Sequence, residues 1–283
     1  MRLLIAQVLE DEDGVNFKKV SLVRLPIRLG QEAFTDKKIS DDTYTRFIQG
    51  MMAYKYLLEV HQVVAFKACA TSAMREAKNG KKIVDEIKDR TGIDVEIIDG
   101  KVEAAYIFNG HFHDQLDNDS NYIYVDVGGG STEVTILSNG QIKSSKSFKI
   151  GTIRLLNDMV TDTDWAKMKA WIKAQTKSLD HVEMIGSGGN INKLYKLAGK
   201  STPRPMLYHE LKQIKNELST LSFEQRMKKY KLNPDRSDVI VLAGEIYFSA
   251  MKWSDASIIH VPKIGLTDGI VMDLYQKHIG GNN

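Results

Sequence analysis

The stretch that decides the fold is YIYVDVGGGSTEV, residues 122 to 134. Tyr122–Val127 alternate in the way that is typical of a β-strand, and this strand reaches Asp126 shortly before three glycines in a row. Because glycine has no side chain, successive backbone N–H groups can form a concave site for an anion. The stretch therefore predicts a strand whose carboxyl end carries an acid and an anion-binding turn.

The residues that follow complete one structural unit. Glu133–Leu137 predicts a second strand, SNGQ at 138–141 a two-residue hairpin turn, and Ile142–Ile150 a third strand. A short strand is predicted at Ser257–Val261, and helical patterns lie at about 164–179, from the glycines at 188–189 to 197, and at 209–218, 238–251 and 266–278. Strands that alternate with helices imply an α/β layer architecture.

The first half shows the later parts of the same unit. Strands at Arg2–Leu9 and Asn16–Arg24 flank an EDEDG turn, and a helix at 41–61, a strand at 63–69, a helix at 72–90 and a strand at 94–99 follow. The opening strand and its glycine loop have no counterpart in this half. Since 283 residues exceed one minimal core, we predict two domains, at 1–115 and 116–283.

Composition narrows the function classes. Lys and Arg number 39 against 36 Asp and Glu, so the net charge of +3 gives no global surface for nucleic acid. The single cysteine, Cys69, cannot form an internal disulfide, and the first residues lack a signal-peptide profile. No apolar run approaches the roughly 20 residues of a membrane span. We therefore expect a cytoplasmic protein that binds neither membrane nor a specific nucleic acid.

The glycine loop has a structural alternative, a hairpin in which Asp126 caps a turn. A second loop of the same kind argues against it: MIGSGGNI, residues 184–191, also follows a short apolar strand. Gly188 and Gly189 precede a helix, whose N-terminus favours anions. Asp126 stands where it can hold a hydrated Mg²⁺ that bridges phosphates. The two loops together predict a phosphate-binding site.

Five segments in order give the chain a family resemblance: ATSAMREAKNG (70–80), IIDGKVEAAYIFNG (97–110), VDVGGGSTEV (125–134), GSGGNI (186–191) and LNPDRSDVIVLAG (232–244). The chain resembles the exopolyphosphatase and guanosine pentaphosphate phosphohydrolase family, which belongs to the actin, Hsp70 and sugar kinase superfamily. The resemblance implies two ribonuclease H-like domains with the site in the cleft between them. It also implies Mg²⁺-dependent hydrolysis of a terminal phosphoanhydride, from inorganic polyphosphate or guanosine pentaphosphate.

The resemblance also implies roles for individual residues. Glu103 matches the family's catalytic glutamate, Glu133 an acid near the reacting water, and Arg75 an arginine that faces the phosphates. Asp126 matches the metal position. The residues implied in phosphate binding are Gly128, Gly129, Gly130, Ser131 and Thr132, with Gly188 and Gly189 of the second loop. Taken alone, Glu103 would be read as a solvated helix residue and Arg75 as the end of a basic face.

Three other groups have structural interpretations. His111 and His113 of HFH alternate, which suits neither a helical metal pair nor a closed zinc site, and we interpret them as loop residues. Asp238 is interpreted as the acid at the N-terminus of a helix. The basic cluster RMKKYK (226–231) attracts a polyanion or forms a solvated face.

The departures from the family pattern matter as well. Met1 stands where the family's first loop, A-x-D-x-G-[ST]-N-[ST], should just have ended, so the hairpin and the later parallel strands are expected to face a gap. Two explanations stay open. Either the protein starts upstream of Met1, which we expect, or the strands of the first domain pair in a different way. Val102 and Ala105 replace a glutamate and an arginine, and Thr267 replaces another arginine. Weak or altered substrate use is expected.

Two rival functions remain at this point. One is a catalytically impaired protein that binds polyphosphate or an alarmone, favoured by the missing loop and by VEAA at 102–105. The other is an ATP-dependent kinase or chaperone of the same superfamily, for which the chain is short. The resemblance to the family's two-domain form implies a homodimer that pairs through the second domain.

Overall fold

The computed structural model describes residues 1–11, 14–109, 117, 119–262 and 265–280. By the packing of its Cα atoms the chain divides into two units, the first made of 1–112 and 264–283 and the second of 113–263. In the described ranges no helix combines the length and the apolar character needed to cross a bilayer.

Unit 1 contains two small sheets. Strands β1 (Arg2–Asp11) and β2 (Gly14–Arg24) form an antiparallel hairpin, and β3 (Ala68–Ala70) lies parallel to β4 (Val95–Ile97). Over the residues described, the two sheets share no strand. The helices that precede the second unit are α1 (Leu29–Thr35), α2 (Asp41–Val60), α3 (Ser72–Glu76), α4 (Gly80–Thr91) and α5 (Gly100–Asn109).

The last helix of the chain packs in unit 1. This helix, α13 (Leu266–Gly280), falls within the second domain predicted at 116–283, whereas in the structure it contacts α5 and β1. The aromatic ring of Tyr275 on this helix meets that of Phe17 edge to face, with centroids 5.7 Å apart. The boundary predicted at 115/116 adjoins residues outside the described ranges and stays a prediction.

Two predictions in unit 1 differ from the structure. The helix predicted at 72–90 is broken, because Ala77 adopts an extended conformation and Gly80 starts a new helix. Gly80 lies against the preceding turn: a Cβ there would come 2.0 Å from the Met74 carbonyl oxygen. The strand predicted at 63–69 is reduced to Ala68–Ala70, which among the described residues pairs with β4 alone, and Val64 is 89% exposed.

Unit 2 is built on a six-stranded sheet in the order β7-β6-β5-β8-β10-β9. Its strands are β5 (Asn121–Val127), β6 (Thr132–Ser138), β7 (Gln141–Phe148), β8 (Val182–Ser187), β9 (Met206–Leu207) and β10 (Ile258–His260). The predicted hairpin is confirmed, since Asn139 and Gly140 both have positive φ, as a tight two-residue turn requires. In the middle of the sheet β5 runs parallel to β8, with Asp126 opposite Ser187.

Helices cover this sheet. They are α6 (Thr152–Leu156), α7 (Asp162–Thr176), α8 (Gly189–Leu197), α9 (Tyr208–Ser219), α10 (Phe223–Tyr230), α11 (Pro234–Ser237) and α12 (Ile240–Ser254). The core is continuous from the sheet into the helices, with Ile123 and Met184 of the strands and Ile172 and Ile246 of the helices fully buried. Because β5 and β8 are central and covered, their carboxyl ends are held firmly.

Candidate functional site

The loop after β5 is tied to the helix that follows the hairpin. The N–H of Gly128 donates to the Ser131 carbonyl over 2.9 Å and closes the turn. The carbonyls of Gly128 and Gly129 accept from the N–H groups of Thr152 and Ile153, at 3.0 and 2.8 Å. The first turn of α6 therefore binds the carbonyl side of the loop.

A buried arginine completes this attachment. Arg154 is only 5% exposed, and its Nε donates to the Gly130 carbonyl over 2.7 Å. Gly151 permits the close approach, because a Cβ there would lie 2.4 Å from the Gly129 oxygen. In the described parts of the chain, the N–H groups of Gly129 and Gly130 donate to no main-chain carbonyl. These two amides are the donors that the loop can offer to an anion.

The polar side chains after the glycines bind to the protein itself. The Thr132 hydroxyl donates to the Ile150 carbonyl, and the Ser131 hydroxyl donates to Oε1 of Glu133 over 2.6 Å. The same Glu133 oxygen accepts from the Ser147 hydroxyl at 2.9 Å, and Glu133 is 4% exposed. Each hydroxyl has one hydrogen, so Ser131 and Thr132 as seen here have none left to donate to a phosphate.

The second glycine loop comes close to Asp126. Gly188 follows β8 and has φ +109° and ψ 165°, a backbone conformation that is essentially restricted to glycine. A Cβ on Gly188 would lie 3.1 Å from Oδ1 of Asp126. The backbone at position 188 thus approaches this carboxylate too closely to accommodate a side chain without a shift. The α8 helix starts at the next residue, and no side chain caps it.

Arg236 lies at the start of α8. Its Nη1 donates to the Gly189 carbonyl over 2.7 Å, and a Cβ on Gly189 would come 2.9 Å from its Nη2. A guanidinium and a helix N-terminus both attract anions. Asp126, the two glycine loops and the Arg236 guanidinium therefore lie together at the carboxyl ends of β5 and β8. This is the edge at which ligands bind in parallel α/β sheets.

The candidate residues of unit 1 lie at the carboxyl end of β4. Arg75, on α3, is exposed and donates from Nη1 to the Ile98 carbonyl over 2.6 Å. Asp99 accepts from the N–H groups of Lys101 and Val102, and this bonding holds the pKa of its carboxyl below the usual range. Lys101 and Val102 belong to the first turn of the helix α5, and Glu103 lies half-buried in the same turn. Both predicted residues of this unit are therefore near one strand end.

Other groups from the sequence have plainer surroundings. Asp238 lies between α11 and α12, near the N-terminus of α12 as interpreted. The basic cluster 226–231 overlaps α10, which buries none of its residues, an exposure that agrees with either interpretation of the cluster. His111 and His113 lie outside the described residues.

Three residues of the site were missed from the sequence. Arg154 and Tyr247 bond to backbone atoms 24 and 60 residues away, and no local pattern signals such a contact. The phenol of Tyr247 is fully buried beneath the two loops. Arg236 stood within the quoted segment LNPDRSDVIVLAG, and its position two residues after Pro234 was the only available signal.

A metal site made by protein alone is not present in the described ranges, where no three His, Cys, Asp or Glu residues cluster to hold an ion. Magnesium is commonly held by one or two carboxylates together with phosphate oxygens and water. Asp126 supplies one carboxylate of that second kind of site, at the carboxyl end of β5. The donor set therefore suits an ion that arrives with a phosphate ligand.

The sequence model of the Ppx/GppA phosphatase family matches residues 7–278. Among curated proteins, the chain is 28% identical to a bifunctional 3-dehydroquinate synthase/phosphatase of Fusobacterium nucleatum, over 85% of this chain and 40% of that protein. It is 24% identical to a guanosine-5′-triphosphate,3′-diphosphate pyrophosphatase of Photobacterium profundum, over 78% of this chain and 44% of that protein. The chain thus spans less than half the length of these two relatives.

A shorter relative and a solved structure match along their whole length. The chain is 23% identical to exopolyphosphatase 2 of Mycobacterium tuberculosis, over 97% of this chain and 95% of that protein. The crystal structure of an exopolyphosphatase from Cytophaga hutchinsonii superposes with a TM-score of 0.83 at 23% identity, covering 98% of this chain and 94% of that one. This likeness confirms the predicted α/β fold.

Proposed function

The chain belongs to the Ppx/GppA phosphatase family, and from that premise we propose that it hydrolyses the terminal phosphoanhydride of inorganic polyphosphate or of guanosine pentaphosphate. One observation carries the proposal: two glycine loops stand at the ends of the adjacent parallel strands β5 and β8, and a carboxylate lies between them. The named activities of the relatives, an exopolyphosphatase and a guanosine pentaphosphate pyrophosphatase, support this substrate class.

The loops bind phosphate through backbone donors. Gly129 and Gly130 supply N–H groups from the first loop, and the first turn of α8 supplies those of the second. Arg236, fixed on the Gly189 carbonyl, adds positive charge at the same end. A phosphoryl group in a loose transition state needs such positioned donors more than a strong base. The side-chain hydroxyls of Ser131 and Thr132 hold the loop in shape instead.

Asp126 would hold Mg²⁺, which when bound neutralises charge on the phosphate oxygens. Glu133 keeps a carboxylate oxygen fixed by two serine hydroxyls, so its charge has a defined position beneath the loop. Glu103 and Arg75 keep the roles that the family resemblance gives them. In this proposal Glu103 orients the attacking water and Arg75 contacts the phosphates.

The binding-only alternative has one observation in its favour. Ser131 and Thr132 have no hydroxyl hydrogen left for a phosphate, which reduces the donors of the first loop to backbone groups. A sensor that binds polyphosphate without cleaving it would need no more than this. Turnover distinguishes the two, because a sensor binds the polyanion and releases no phosphate.

The test is phosphate release from each substrate, with and without Mg²⁺. Wild type is compared with Glu103→Gln and with Glu59→Gln, a control in which an exposed glutamate of the same unit loses its charge. The proposal expects Mg²⁺-dependent release by wild type and by the control, and at least a hundredfold lower kcat for Glu103→Gln. Binding of polyphosphate without release by wild type would establish the sensor instead.

The expected homodimer is also a proposal. Pairing through the second unit predicts twice the chain mass in light scattering, and a monomer at all concentrations would contradict it.

A further inference from the structure

Tyr247 bonds to both strands that carry the glycine loops. It lies on α12 and is fully buried. Its hydroxyl accepts from the Val127 N–H over 3.3 Å and donates to the Ser187 carbonyl. Val127 is the last residue of β5 and Ser187 the last residue of β8. One phenol oxygen thus joins the two strand ends at the point where both loops begin.

The Tyr247 hydroxyl lies just beyond the last residue pair that joins β5 to β8. The parallel ladder between β5 and β8 ends with Asp126 opposite Ser187. Beyond that pair the two segments diverge into the glycine loops. There the Tyr247 hydroxyl accepts from the Val127 N–H and donates to the Ser187 carbonyl, so it links the two strand ends. The separation of the loops therefore depends on a side chain from a third element, the helix α12.

The same hydroxyl lies close to Gly188, as the Asp126 carboxylate does. A Cβ on Gly188 would lie 3.1 Å from Oδ1 of Asp126 and 3.5 Å from the Tyr247 hydroxyl oxygen. Burial, and after it the negative charge of Asp126, raises the pKa of Tyr247 well above its usual value, so the phenol stays neutral. As a neutral group the phenol keeps the hydrogen that it donates to the Ser187 carbonyl.

A buried tyrosine usually needs some hydrogen-bond partner, and Tyr195 shows what an ordinary one looks like. Tyr195 is 5% exposed, lies on α8 and donates to the Arg204 carbonyl in a surface turn. Its partner has no part in either glycine loop. Tyr247 differs because both of its partners are the residues from which the loops start.

We propose that Tyr247 is a positioning residue whose buried hydroxyl sets the spacing of the two glycine loops, and through them the position of Asp126, without touching the substrate. The inference rests on the proposed function for its kinetic consequence. Loss of the hydroxyl displaces groups that act on the reacting phosphoryl, whereas the rest of a polyphosphate chain still binds. The change therefore lowers kcat more than it raises KM.

The test compares Tyr247→Phe with the matched control Tyr195→Phe, each of which removes one hydroxyl. In phosphate release from polyphosphate with Mg²⁺, Tyr247→Phe should lower kcat at least tenfold and change KM less than threefold. Tyr195→Phe should leave both within twofold of wild type. A kcat of Tyr247→Phe within twofold of wild type would overturn the proposal.

Amide hydrogen exchange tests the inference without any turnover. Peptides covering 122–134 and 183–192 should exchange at least tenfold faster in Tyr247→Phe, and the other peptides of unit 2 should be unchanged. Equal acceleration throughout the unit in both variants would show a merely structural role. A wild type that releases no phosphate defeats the proposed function alone, and this measurement then decides the role of Tyr247.

Should Tyr247→Phe not fold, the wild-type protein provides the answer. The amide of Val127 should exchange as slowly as those in the middle of β5, because a buried hydroxyl accepts from it. Exchange at the rate of an exposed loop amide would overturn the proposal.

Discussion

Gly188→Ala should damage the site more than it damages the fold. The residue has φ +109° and ψ 165°, a region that costs any other residue about 1–3 kcal/mol. The new methyl group would also lie 3.1 Å from Oδ1 of Asp126, closer than an unstrained contact. The carboxylate must shift by a few tenths of an ångström, away from the position in which the two loops now hold it.

The size of the effect can be measured by denaturation in urea. All three tryptophans of the chain, Trp165, Trp171 and Trp253, belong to unit 2, so their fluorescence reports the unfolding of that unit. With a slope of about 2 kcal/mol per molar, a loss of about 1–3 kcal/mol lowers the urea midpoint by roughly 0.5–1.5 M. A domain with a stability of about 5–15 kcal/mol stays folded after such a loss.

Gly199→Ala is the matched control. Gly199 also has a positive φ, of 72°, but a Cβ there would meet no heavy atom within 4 Å. It should lose about 1–2 kcal/mol of stability and keep phosphate release within twofold of wild type, whereas Gly188→Ala should lose at least tenfold. Equal losses of activity in the two variants, or full activity in Gly188→Ala, would refute the reasoning.

Three further perturbations test the surroundings of the loops. Gly151→Ala should prevent unit 2 from folding or lower its free energy of unfolding more than Gly199→Ala does, because its Cβ would lie 2.4 Å from the Gly129 backbone oxygen. Urea denaturation of both variants measures this. Arg154→Met should cost about 1–3 kcal/mol in the same assay, since the buried Gly130 carbonyl loses its donor; no loss would show that α6 alone holds the loop. In the capping box of α7, the Thr161 N–H lowers the pKa of Asp164, so its stabilisation is present at neutral pH and is lost as the pH falls through that lowered value. Asp164→Asn should therefore cost a few tenths of a kcal/mol at neutral pH, a difference that shrinks below pH 3.8; a constant difference would contradict the linkage.

Local sequence patterns in unit 2 predicted the first three strands of its sheet. The alternation that ends at Asp126 and the SNGQ turn predicted β5, β6 and β7 within two residues, because each pattern is set by neighbours along the chain. The glycine loops were predicted for the same reason. The break at Ala77 was not, because it depends on the contact of Gly80 with the Met74 carbonyl.

The site itself needed the structure in two places. The sequence indicated Ser131 and Thr132 as phosphate donors, but which group a hydroxyl binds depends on the folded loop. The Thr132 hydroxyl meets the Ile150 carbonyl, which the hairpin brings near, and the Ser131 hydroxyl meets Glu133, two residues along the chain. Tyr247 was not singled out within the helix predicted at 238–251, because its two hydrogen-bond partners come from strands that are distant in sequence. The residue types predicted which groups could donate or accept hydrogen bonds, but only the folded structure showed which partners they bind.

We propose that phosphoanhydride hydrolysis by this chain depends on Asp126, which lies between the two glycine loops. The most direct measurement is kcat for phosphate release from polyphosphate in Mg²⁺, for wild type, Asp126→Asn and Asp180→Asn. Asp180 is exposed near the opposite end of β5, where its carbonyl accepts from the Asn121 side chain. The account predicts turnover by wild type and Asp180→Asn and at least a hundredfold loss in Asp126→Asn. Equal turnover by all three proteins would contradict it.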